Sequence, residues 1–237
     1  MSALFLCTNV YAQKIKGKSE KSFSKIVAKE GTRNETLTND FGKKWKMRVN
    51  FPEEVEASNT LVIALHWAGG GDTFEEFNDC LALPGLQQLN AIIVSPEGEN
   101  QLWSTPNNVD KILSIIANAT KYWNVDPDKI AVMGYSNGGN GSWYFAEKYP
   151  ELFSAAIPMA SAYAISKKIT IPIYAIHGKK DELFSVTRTE KWVNQTKRKG
   201  TDVSFVVAKE LSHYQACAYI ELLNEAGEWL ENKWKEQ

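Results

Sequence analysis

Five short, wholly apolar runs constrain this chain more than any other feature: TLVIALHW (60–67), AIIVSP (91–96), KIAVMG (129–134), SAAIPMA (154–160) and IPIYAIHG (171–178). Each is bounded by Gly, Pro or polar residues, and none alternates polar with apolar. Such runs fit strands covered on both faces. The segments between them carry helical period, at 74–90, 108–123, 139–149 and 187–199. A further strand, DVSFVVAKE, leads into a long amphipathic stretch from Ala216 to Lys235. Strand and helix in alternation predict an α/β fold, a mostly parallel central sheet with helices on both faces. Upstream, KKWKMRVNFP alternates polar and apolar residues, which predicts a half-exposed outer strand.

Length and charge narrow the function classes. The 237 residues suit one domain with a sizeable core, and a net charge of −1 points to neither nucleic acid nor an anionic membrane surface. No apolar run is long enough to span a bilayer, so no membrane insertion is expected. The opening MSALFLCTNVYAQ reads as the tail of a secretory signal peptide over residues 1–12, followed by a polar stretch at 13–34, a loose leader or an edge element, and a single domain at 35–237. That reading predicts a secreted or periplasmic protein, and a cytoplasmic one if the segment is not a signal. Cys7 would leave with the peptide. Cys80 and Cys217 remain as a possible pair, but two cysteines make no disulfide framework, and they are read as free core thiols.

Ligands of open α/β sheets sit at the carboxyl ends of the strands. Those ends read His66-Trp67-Ala68, Pro96-Glu97-Gly98, Gly134-Tyr135-Ser136-Asn137-Gly138, Ser161, His177-Gly178-Lys179-Lys180-Asp181 and Ser212-His213. A serine, an aspartate and a histidine therefore follow one another in chain order. Gly134-x-Ser136-x-Gly138 between a strand and a helix has the form of a nucleophile elbow. Such a turn holds the serine in a strained backbone conformation with its hydroxyl above the sheet, and side chains two positions away on either side would collide with neighbouring backbone. A serine hydroxyl is inert until a base takes its proton. Of the three histidines, His213 follows the last strand; His66 and His177 each begin a turn, where an imidazole braces loops.

With VDPDKIAVMGYSNGG, EKYPELFSAAIPMAS and HGKKDELF in place, the chain from about residue 44 onward resembles the α/β-hydrolase family. Within it the likeness is to two groups of small esterases, the polyhydroxybutyrate-depolymerase/feruloyl-esterase group and the phospholipase/carboxylesterase group. The resemblance implies a triad of Ser136 as nucleophile, His213 as base and Asp181 as acid. Glu182 is the rival acid, and the family's HGxxD pattern falls on Asp181, which could equally cap the helix that follows. It further implies an oxyanion hole made by the N–H groups of Asn137 and Ala68. Where relatives commonly read His-Gly-x, this chain has His66-Trp67-Ala68, which sets an indole beside the cleft.

The expected substrate is a small-molecule or polysaccharide-linked ester, acetyl or feruloyl esters on carbohydrate among them, hydrolysed through an acyl-enzyme. Trp67, Trp103 and Tyr135 are candidate substrate-binding aromatics. The short connection between the runs at 154–160 and 171–178 leaves no room for a helical lid domain. No metal-ligating spacing, phosphate loop or dinucleotide fingerprint occurs, so no cofactor or metal is expected. A monomer or homodimer is the expected state. Two other readings compete: a serine peptidase of the prolyl-oligopeptidase type, and a hydrolase-fold binding protein without catalysis.

Overall fold

The computed structural model describes residues 18–53 and 58–236. The segment read as a signal peptide, with Cys7, lies outside these residues. Among the described residues, eight strands form one sheet: β1 (Gly31–Thr38), β2 (Lys44–Phe51), β3 (Asn59–Leu65), β4 (Ile92–Pro96), β5 (Val125–Tyr135), β6 (Ala155–Met159), β7 (Ile173–Gly178) and β8 (Val203–Ala208). Their spatial order is β1-β2-β4-β3-β5-β6-β7-β8. β1 pairs with β2, and β2 with β4, in antiparallel sense; every pairing from β4 through β3 to β8 is parallel. This is the α/β-hydrolase architecture.

Period-2 alternation explains how the apolar runs serve two cores at once. Leu61, Ile63 and Leu65 of β3 point into one buried cluster, together with Ile112 and Phe145 of the helices Pro106–Tyr122 and Asn137–Lys148. Val62 and Ala64 point to the other face, into a cluster with Leu81, Leu86, Leu223 and Leu230. Both faces of the central strands are thus dry, as their unbroken apolar runs require.

Three local expectations differ from what the chain does. β2 is not outermost, because β1 takes the edge beside it, and the residues alternating inward are Trp45, Met47, Val49 and Phe51. The described part of the polar leader takes the edge-element alternative and not the loose one: Phe23 and Ile26 are buried, and the edge strand β1 begins within it at Gly31. The stretch predicted as one helix at 74–90 is broken into a helix Thr73–Phe77, a π-turn Asn78–Ala82, a turn Leu83–Leu86 and a 3₁₀ turn Gln87–Leu89. Pro84 lacks the N–H that a regular helix would use, and the wider turn before it absorbs the change of register.

Residues 160–172, between β6 and β7, form no helix and pack Ile165, Ile169 and Ile171 against the core. They build no lid. Cys80 and Cys217 correct a further expectation: they are joined in a disulfide across a sequence separation of 137.

Candidate active site

β5 ends at Tyr135 and the helix Asn137–Lys148 begins one residue later, so Ser136 must turn the chain by itself. It does so at φ 57°, a left-handed value that costs an L-residue of order 1–3 kcal/mol. The two flanking glycines make the turn sterically feasible. A Cβ on Gly138 would lie 1.8 Å from the carbonyl oxygen of Leu65, and one on Gly134 would lie 2.3 Å from that of Gly138. No side chain fits between these backbones. The Ser136 N–H is held by the Met159 carbonyl at the end of β6, at 3.0 Å.

The structure brings together the three residues read from the strand ends. Asp181 Oδ2 lies 2.8 Å from His213 Nδ1, and His213 Nε2 lies 2.9 Å from Ser136 Oγ. A carboxylate can only accept, so Nδ1 carries the ring proton and Nε2 presents a lone pair to the serine hydroxyl. Burial alone would raise the Asp181 carboxyl, but hydrogen bonds from His213 and from the Phe184 N–H hold it below the usual carboxylate range. Ionised Asp181 thus fixes the tautomer that leaves Nε2 free to take a proton.

Asp181 has a second task. Its Oδ1 accepts the N–H groups of Leu183 and Phe184, at 2.9 and 2.7 Å. This caps a tight turn; the helix Val186–Arg198 that follows is capped instead by Ser185, which accepts from the Arg188 N–H. The rival acid Glu182, next on the same loop, accepts the backbone N–H of His213 at 3.0 Å. It touches the main chain of His213 and not the imidazole.

The remaining two histidines brace loops. His66 is buried, donates from Nδ1 to the Trp67 carbonyl, and accepts the Gly98 N–H at Nε2. Burial pushes its pKa down to about 4, so it stays neutral. His177 donates from Nε2 to the Phe184 carbonyl at 2.6 Å, with Asp181 Oδ2 a further 3.5 Å contact. Its burial likewise lowers its pKa.

The N–H groups proposed for an oxyanion hole are free to serve. Asn137 is the first residue of its helix and has no intrahelical acceptor. Ala68 lies in the loop after β3 and lines the same cavity as Ser136. Neither N–H donates to another group among the described residues. The Asn137 side chain donates to the Gln101 carbonyl at 3.0 Å and ties the elbow to the loop after β4.

A cavity of about 620 Å³ opens above Ser136 and His213, lined by Trp67, Ala68, Glu76, Tyr135, Leu183 and residues 214–218. Two of the three candidate aromatics line it, and Trp103 does not. Trp103 is 1% exposed, packs edge-on against His66 and donates to the His66 carbonyl at 3.0 Å. It stiffens the loop carrying Ala68 from below. Tyr135 does more than line the cavity, since its hydroxyl donates to the His213 carbonyl. Sequence reasoning missed this, and also the supporting contacts of Glu182 and His177.

An open, mostly parallel α/β sheet with a buried Ser–His–Asp chain at its carboxyl edge is the arrangement of the α/β-hydrolase fold. More narrowly, the chain belongs to the dienelactone hydrolase family, whose model matches residues 90–234. It is 34% identical over 127 residues to an acetylxylan esterase of Coprinopsis cinerea, a match covering 46% of this chain and 33% of that one. It is 29% identical over 115 residues to the protein usf of Aquifex pyrophilus, covering 45% of this chain and 50% of that one. The match thus spans half or less of these relatives' length.

Among solved structures, an arylesterase superposes with a TM-score of 0.70 at 15% identity, covering 97% of both chains. The ferulic acid esterase of Anaeromyces mucronatus superposes with a TM-score of 0.66 at 16% identity, covering 88% of this chain and 94% of that one. These two likenesses establish the fold.

Proposed function

We propose that this chain is a serine carboxylesterase working through an acyl-enzyme. The observation that carries the reading is the continuous chain from Asp181 Oδ2 through the His213 ring to Ser136 Oγ, with links of 2.8 and 2.9 Å. His213 Nε2 takes the Ser136 proton as Oγ attacks the ester carbonyl. Negative charge then moves onto the carbonyl oxygen, where the N–H groups of Asn137 and Ala68 receive it. Collapse of the tetrahedral intermediate expels the alcohol, which takes the proton back from His213. Water repeats the sequence on the acyl-Ser136 ester and releases the acid.

The preferred substrates are acetyl or feruloyl esters on carbohydrate, with small soluble esters as the simpler case. Support comes from the open cleft, from the exposed Leu183 and Tyr214 at its rim, and from the acetylxylan-esterase relative. The Cys80–Cys217 disulfide favours an oxidising compartment, and hence a secreted or periplasmic enzyme.

Turnover of 4-nitrophenyl acetate, followed by a screen of acetylated xylan and methyl ferulate, tests the reading. Ser136→Ala should lower kcat by about a millionfold. Failure of the wild-type protein to turn over any of these esters would favour the binding-protein reading instead.

A further inference from the structure

The cavity above Ser136 has two walls from distant parts of the chain. One is the segment that begins with the helix Thr73–Phe77; the other is the loop that presents His213 and continues through Ala218. The Cys80–Cys217 disulfide joins the two walls, and Cys217 itself lines the cavity. Glu76 stands four residues before Cys80, a spacing that puts both on one side of a helical segment. Glu76 is among the residues lining the cavity.

Charge at this site is one-sided. Among the described residues, no lysine or arginine lines the cavity. The Glu76 carboxylate is exposed and has no ion pair or hydrogen bond among the described residues. Glu182 adds a second carboxylate against the His213 backbone, and ionised Asp181 lies beneath the imidazole. The nearest lysine of the Asp181 loop, Lys180, is drawn off to Glu210 at 2.5 Å. A cavity of about 620 Å³ keeps any bound ester within roughly 10 Å of its walls, a distance over which unscreened charges act.

We infer that Glu76 is a specificity-determining residue that makes the site select uncharged esters and reject anionic ones. The inference rests on the esterase reading of Ser136 and deepens it: of the esters that the fold could serve, those carrying a carboxylate close to the scissile bond are poor substrates. Neutral acyl groups on a neutral sugar satisfy this requirement.

The test compares matched esters that differ by one carboxylate, on either side of the scissile bond. On the alcohol side the pair is 4-acetoxybenzoate and its methyl ester. On the acyl side the pair is monomethyl terephthalate and dimethyl terephthalate. Intrinsic reactivity cancels when the anionic-to-neutral ratio of kcat/KM in Glu76→Gln is divided by the same ratio in the wild type. That quotient should be roughly three to ten in at least one pair, and larger in Glu76→Lys. It should shrink toward one in about 0.5 M salt.

Ratios unchanged in both pairs and both variants would overturn the inference. Ser136→Ala run alongside keeps the two claims apart. Its loss of all turnover with unchanged Glu76 ratios sinks only the charge selection, whereas its retention of turnover sinks the esterase reading.

Discussion

The Tyr135 hydroxyl donates a 2.8 Å hydrogen bond to the backbone carbonyl of His213, across a sequence separation of 78. Tyr135 immediately precedes Ser136, so one side chain fixes the position of the proposed base relative to the proposed nucleophile. Burial raises the pKa of its phenol well above the ordinary value, which keeps it a donor. Tyr135→Phe retains the ring and loses this bond, together with the hydroxyl's contact to Tyr219. A fall in kcat of about fivefold to tenfold is expected, in line with about 1 kcal/mol for one hydrogen bond, with KM for 4-nitrophenyl acetate nearly unchanged. An unchanged kcat would show that His213 needs no such tether.

Asp181 and Glu182 are neighbours with different contacts, and substitution separates them. Asp181→Asn presents an amide to His213 Nδ1 and favours the wrong tautomer, so kcat should fall by about four orders of magnitude. Glu182→Gln keeps an oxygen able to accept the His213 N–H, and its kcat should stay within a few fold. The opposite outcome would move the acid to Glu182.

His66 makes stability depend on pH in a stated direction. Its pKa falls from 6.5 to about 4 on folding, because burial disfavours the cation and Nε2 already accepts the Gly98 N–H. Between those values the unfolded chain binds the proton and the folded chain does not. Stability therefore drops as pH is lowered through this window, by about 3 kcal/mol from His66 alone. Urea unfolding from pH 7 to 4.5 should show the decline, and His66→Gln should flatten it. A wild-type midpoint constant over that range would contradict the assignment.

The disulfide closes a long loop, with a sequence separation of 137. Loop-closure entropy sets its contribution at up to about 5 kcal/mol. The double variant Cys80→Ser/Cys217→Ser should unfold at markedly lower urea, and the wild type in excess dithiol should fall to the same midpoint. Equal midpoints for oxidised wild type and double variant would show that the tie adds nothing.

Much of this was legible before any coordinates. Apolar runs with helical segments between them identify a parallel sheet because both faces of its inner strands are dry, and strand ends then localise Ser136, Asp181 and His213. The pentapeptide around Ser136 is readable because its glycines answer to backbone contacts that any such elbow must make. Other features depend on contacts with no local signature. Trp103 follows a strand as Trp67 does, yet one ring lies under the loop and the other lines the cavity. The pairing of Cys80 with Cys217 requires two walls to meet, which spacing along the chain does not encode. The edge strand at Gly31 could be read only as one of two alternatives, because one-sided burial leaves it as polar as a leader.

Intact-mass measurement after treatment with a fluorophosphonate tests the central claim most directly. The account predicts one adduct per chain, located on Ser136 by peptide mapping, appearing in step with complete loss of ester hydrolysis and absent from Ser136→Ala. Hydrolysis that survives full modification of Ser136, or an adduct on another residue that accounts for the loss, would contradict it.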